Sequence, residues 1–280
     1  MMGFSLLARL WAVLVFAGLL CGPGPAVQAE KAREEGGFGV VEPDLLEVIY
    51  AGYEELRYDI SWTGGIKIGE LRLRVERINP EEEVYRIIAK VSDYGLFRLF
   101  YPVNDTFLTD VQGVERLPFL YRVHQLEGHG KSETNRLTRY DQQGLQVRYR
   151  RDREPEEVIA VSGPVHNEFS SFFAMRAMRL QPGESFIVPT FTDHKRHEVR
   201  VRVLGRERLD SLYGPVETIR VLPEMKFRGL YDKTGDTVIW FTDDECRVPV
   251  RINSKILIGS LTATLVSHIN PFCDRYSMKE

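Results

Sequence analysis

From residue 56 onward the chain alternates polar and apolar side chains over most of its length. In Leu56-Arg-Tyr-Asp-Ile-Ser-Trp62 the apolar residues Leu56, Tyr58, Ile60 and Trp62 share one face, the period of two of a half-buried strand. Gly64-Gly65 follows and suits a tight hairpin. The next run is Ile66-Lys-Ile-Gly-Glu-Leu-Arg-Leu-Arg-Val75. Its apolar residues sit at even positions up to Ile68 and at odd positions from Leu71. The phase changes at Gly69-Glu70, and one extra residue in the strand, a β-bulge, keeps both halves facing the core. Residues 256–265, ILIGSLTATL, repeat the pattern with a flip at Gly259-Ser260 and predict a second bulge. Bulges bend strands, so the pair predicts a strongly curved sheet.

Further strands are predicted at Val84–Val91, Phe119–Leu126, Leu145–Tyr149, Val199–Val203, Val216–Leu222, Thr237–Phe241 and Val248–Ile258. With the intervening turn signals this makes roughly a dozen strands at short, regular spacing. Such spacing favours antiparallel architecture over βαβ units. One segment departs from it. Between Asn167 and Leu180, residues Phe169, Phe172, Phe173, Ala177 and Leu180 recur at helical spacing, Asn167 can cap the start, and Pro182-Gly183 ends the run. The fold predicted is therefore mainly β: an antiparallel curved sheet, sandwich or partly open barrel with one amphipathic helix lying on the sheet or plugging its end.

The N-terminus changes the domain picture. Residues 10–20 are almost wholly apolar, Arg9 precedes them, and Val27-Gln28-Ala29 places small residues before a cut at Glu30. This is the pattern of a secretory signal peptide, with an apolar run short of the roughly 20 residues that span a membrane. The expected organisation is a signal peptide over 1–29, a flexible leader over 30–45, a single β-rich domain over 46–272 and a C-terminal tail over 273–280. A periplasmic or otherwise exported location follows, with no transmembrane span in the mature chain. Arg9 is the one charged residue before Glu30, so the mature chain keeps 40 acidic residues against one base fewer than the 37 of the whole. That balance argues against nucleic acid as a partner. Cys246 and Cys273 remain after cleavage. In an exported chain they can form a disulfide or stay as buried thiols.

Candidate chemistry is sparse. Gly128-His-Gly-Lys-Ser132 resembles the end of a phosphate-binding loop but has Gln125 where the motif needs glycine. Asp193-His-Lys-Arg-His-Glu198 offers two imidazoles, yet its spacing shares a face only on a helix, and it reads as a solvated turn. Asp243-Asp244-Glu245 reads as an acidic turn. Ser170 and Ser171 lack an assignable histidine and acid, and no catalytic motif occurs. No cofactor and no metal are expected. Outward arginines such as Arg72, Arg74, Arg148, Arg150, Arg200 and Arg202 read as a solvated sheet face.

The segment Glu55-Leu-Arg-Tyr-Asp-Ile-Ser-Trp62 followed by Gly69 resembles the opening of an exported bacterial family, domain of unknown function 3108. Trp240-x-x-Asp243, Arg247-x-Pro249-Val250 and Gly259 extend the resemblance over about residues 50–267, and the family places a helix near Phe169–Arg176. The resemblance implies a signal-bearing envelope protein, usually of Gram-negative bacteria, with a β-rich fold. It implies no activity and no site residues. Three functional readings stand. The leading one is a non-catalytic binder or carrier of an amphipathic, lipid-like envelope ligand, with Trp62, Phe169, Phe172, Phe173 and Met175 lining its cavity. The second is an assembly or scaffold partner of an envelope complex. The third is a hydrolase with a dispersed site.

Overall fold

The computed structural model describes residues 37–79, 81–95, 102–127, 132–224, 237–256 and 259–276. The signal-peptide pattern and most of the phosphate-loop-like stretch lie outside the described residues. A short helix, α1 (Pro43–Ile49), precedes eight strands: β1 (Tyr53–Trp62), β2 (Ile66–Asn79), β3 (Val84–Asp93), β4 (Val103–Gln112), β5 (Leu117–Glu127), β6 (Ser132–Asp141), β7 (Gln146–Arg151) and β8 (Glu157–Ala160). A second helix, α2 (Glu168–Arg176), separates them from six more: β9 (Ser185–Thr192), β10 (Lys195–Ser211), β11 (Gly214–Glu224), β12 (Thr237–Thr242), β13 (Pro249–Lys255) and β14 (Ser260–Ile269).

All 14 strands form one antiparallel sheet in the order β8-β7-β6-β5-β4-β3-β2-β1-β14-β13-β12-β11-β10-β9. The first and last strands of the chain pair in its middle. The seam lies between β8 and β9, where the connection carries α2. Side chains reach across this seam. His194 Nδ1 lies 3.1 Å from Glu157 Oε2, and its ring stands 4.1 Å from that of Tyr149. Tyr140 and Phe191 meet edge to face. The sheet is thus rolled into a partly open barrel rather than split into a sandwich.

The curvature has identifiable sources. At the predicted first bulge, Ile60 pairs with Gly69 and Ser61 with Lys67, so Ile68 is the extra residue. From Gly69 the buried phase runs through Leu71, Leu73 and Val75, while Ile66 stays exposed. The expectation of a bulge at Gly259 is corrected: Lys255 pairs with Ser260, which puts Gly259 in the β13–β14 hairpin turn. The phase changes there because the chain reverses. Gly259 has φ +84°, and a Cβ on it would stand 2.0 Å from Thr63 Oγ1. Gly259→Val is therefore expected to cost about 1–3 kcal/mol, read as a lowered urea midpoint. A midpoint unchanged from wild type would contradict this account. The bulge in β14 sits further on. Arg57 pairs with Ser267 and Tyr58 with Leu265, leaving Val266 extra and exposed. That slip turns His268 to the inside.

Two further expectations are corrected. The described residues hold two α-helices, since α1 begins with proline at its first turn and buries Leu45, Leu46 and Ile49. And α2 is not amphipathic: every residue from Phe169 to Arg176 is buried. The ordered domain also extends beyond the 46–272 expected from sequence. Phe38 and Val41 bridge to Ile187 and Met178, and Cys273 and Tyr276 are buried.

Candidate functional site

Helix α2 begins with a reciprocal cap. Asn167 Oδ1 accepts from the N–H groups of Phe169 and Ser170, and Ser170 Oγ accepts from Asn167 N–H at 2.9 Å. Asn167 also donates to Thr109 Oγ1 of β4 at 2.9 Å, so one side chain joins helix to sheet. From that anchor the helix runs inside the barrel. Phe169 packs on Phe107 with ring centres 5.1 Å apart, Phe172 meets Phe241 at 6.1 Å, and Phe173 meets Tyr50 at 6.1 Å. Each buried phenylalanine contributes roughly 1.5–3 kcal/mol.

The helix ends in a buried charge network. Arg176 is 0 % exposed and Glu54 of β1 is 1 % exposed. The guanidinium grips the carboxylate through two bonds, Nη1 to Oε2 at 2.6 Å and Nη2 to Oε1 at 2.9 Å. It also donates from Nε to the carbonyl of Arg247 at 3.1 Å. His268 Nε2 lies 3.1 Å from Glu54 Oε1, and its Nδ1 lies 2.8 Å from Tyr213 Oη. A carboxylate only accepts, so Nε2 carries a proton and donates to Glu54. Burial alone would raise Glu54, but the Arg176 charge and the bonds from His268 and Arg176 overcome it and hold the carboxyl at about 2. A group so held is neither an acid nor a base near neutral pH. It bolts α2 to β1 and β14.

The C-terminal segment closes over this network. Asn270 Nδ2 donates to Val48 O at 3.1 Å and reaches Glu54 Oε1. Cys246 and Cys273 are bonded, with Cα atoms 5.7 Å apart. The acidic turn supports them through Asp244. Its Oδ1 accepts from Thr242 Oγ1 at 2.8 Å and from Cys246 N–H at 3.0 Å, and its Oδ2 accepts from the Tyr276 hydroxyl.

At the other end of α2, His166 Nδ1 stands 3.3 Å from Ser170 Oγ, a spacing a nucleophile and base would need. Both residues are buried, and Ser170 Oγ already serves the cap. Burial pushes His166 down to about 4. The sign follows directly. The folded state keeps this ring neutral while the unfolded chain protonates near 6.5, so stability falls as pH drops from about 6.5 toward 4. His166→Gln is expected to flatten that part of the profile in chemical denaturation, and an unchanged slope would refute the assignment.

Of the residues expected to line a cavity, Phe169, Phe172, Phe173 and Met175 come together, but in the packed core. Trp62 lies apart from them, at the far end of β1 from Glu54, with its indole beside Gly259. His194 and His197 separate, one in the β9–β10 turn and one largely buried in β10. Outward arginines are matched by acids: Arg72 with Glu55, Arg74 with Glu76, and Arg202 with Glu224. The Glu54–Arg176–His268 cluster escaped the sequence. The break in apolar alternation at Val266 was its one local sign.

One solved structure agrees with this architecture. A β-barrel-like protein of domain of unknown function DUF1849 from Brucella abortus shares the fold at a TM-score of 0.53 and 8% identity, covering 78% of this chain and 98% of its own. A protein with a YmcC-like fold from Bacteroides fragilis aligns at 11% identity and a TM-score of 0.35, over 83% of this chain and 98% of its own. No curated protein matches. The model of a family described as protein of unknown function, DUF3108, matches residues 57–266. These run from β1 to the bulge of β14, nearly the whole rolled sheet, and the chain belongs to that family.

Proposed function

We propose that this chain is an exported, non-catalytic assembly partner: a barrel plugged by its own helix that offers its outer surface to another envelope component. The observation that carries this reading is the burial of α2 on every side. Side chains that a carrier would present to a ligand are engaged with one another and with the sheet. Export is supported by the apolar run over 10–20 with Val27-Gln28-Ala29, and by a buried disulfide suited to an oxidising compartment. No described helix is long and apolar enough to cross a membrane.

The test is native mass spectrometry of the tagged full-length protein extracted from its own envelope. The expected result is a stoichiometric protein complex whose subunit begins at or near Glu30. A monomer carrying one equivalent of lipid would replace this reading with the carrier.

A further inference from the structure

The two edges of the rolled sheet are treated differently. The outer edge of β9 is covered. Gly39 N–H donates to Ile187 C=O, and Ile187 N–H donates to Gly37 C=O, both at 3.0 Å. His166 N–H donates to Pro189 C=O at 2.8 Å, and Phe191 N–H donates to His166 C=O at 2.7 Å. The edge of β8 is open: among the described residues it pairs with β7 alone. Val161 N–H donates to Leu145 C=O at 2.9 Å, so this residue faces β7. Backbone groups alternate along an extended chain. Those of Ile159 and Glu157 therefore also face β7, and those of Val158 and Ala160 point outward. The side chain of Val158 is 59 % exposed. An open edge carrying an apolar residue is a template for another strand.

We infer that this strand is β8 of a second copy, paired antiparallel across a two-fold axis. This names the partner for the assembly reading above and rests on it. Setting Val158 opposite Ala160 of the copy places Ile159 on the axis. Every outward N–H and C=O then finds a partner, and the pairing is the same from both sides, as a closed dimer requires. The same register sets Glu157 against Val161 and Glu156 against Ser162, so no like charges oppose. Arg196 donates to Ser162 Oγ at 3.2 Å and to Glu198 at 3.0 Å, and the copy's Glu156, held by its own Arg139 at 2.9 Å, arrives beside it. The two ion pairs then join into one cluster of alternating charge, and the two-fold axis repeats it, which favours the chain itself over an unrelated strand. A single short strand a side makes a small interface, so the dimer is concentration-dependent rather than obligate.

Analytical ultracentrifugation of the mature chain over a range of concentrations tests this. The wild type is expected to show a monomer–dimer equilibrium. Val158→Pro removes an N–H that the fold does not use, and should weaken the dimer by at least about tenfold while leaving the thermal midpoint in place. Val158→Ile should behave as wild type. The inference is overturned by a wild type that stays monomeric at every concentration, or by a Val158→Pro dimer as tight as wild type. Neither result touches the assembly reading, which stands or falls on the native envelope complex.

Discussion

Arg176→Ala is expected to destabilise the fold by about 3–5 kcal/mol at neutral pH. The loss comes less from the missing attraction than from what remains, a fully buried Glu54 carboxylate with no counter-charge. Its other partners are His268, Asn270 and little else. The control is the double variant Arg176→Met with Glu54→Gln. It leaves no buried charge and should recover much of the loss, because apolar replacement of a buried pair is often close to neutral. The pH dependence gives a second readout. With the carboxyl held at about 2 in the fold against 4.5 unperturbed, its stabilisation is complete above about 4.5 and is lost as pH falls toward 2. Arg176→Ala should reduce that slope. Urea midpoints at several pH values measure both effects, and a single-variant loss below about 1 kcal/mol would mean the pair is not the bolt described.

Phe172→Ala is expected to cost about 3–5 kcal/mol as well. Phe172 is fully buried against Phe173 and Phe241, whose ring centres lie 5.5 Å and 6.1 Å away. Neighbours held by strand pairing and by the capped helix cannot collapse into the space. The same variant separates two functional readings when probe binding is measured beside the denaturant midpoint. The assembly reading expects a large fall in stability and no amphiphile binding by wild type or variant. A wild type that binds a lipid-like probe, with Phe172→Ala losing affinity but little stability, would restore the carrier and sink the packed-core account.

Much of the fold was legible because strand alternation is local. The face of Leu56, Tyr58, Ile60 and Trp62, the Gly64-Gly65 turn and the phase slip near Gly69 all follow from period-two geometry within a dozen residues. Strand β4 was missed for an equally local reason. Its inward positions include Asp105 and Thr109, which break the apolar pattern although both are buried. Asp105 is tolerated inside because Gln125 Nε2 donates to it at 2.8 Å from the neighbouring strand. Gly259 was misread because a bulge and a chain reversal produce the same phase change. Helix α1 is too short, at seven residues, for periodicity to declare it.

The sequence by itself determined what depends on neighbours along the chain: strands, turns, the helix start at Asn167, and the family membership over residues 57–266. Tertiary structure alone decided where α2 lies and what surrounds it. Ser170 and Ser171 find their partners within the first turn of the helix, but its arginine looks half-exposed until a distant strand supplies a carboxylate. Here Glu54 meets Arg176 across 122 residues, and a one-residue slip at Val266 turns His268 inward to join them. Burying that arginine needs a carboxylate at hydrogen-bond distance, and only the rolled sheet brings one there.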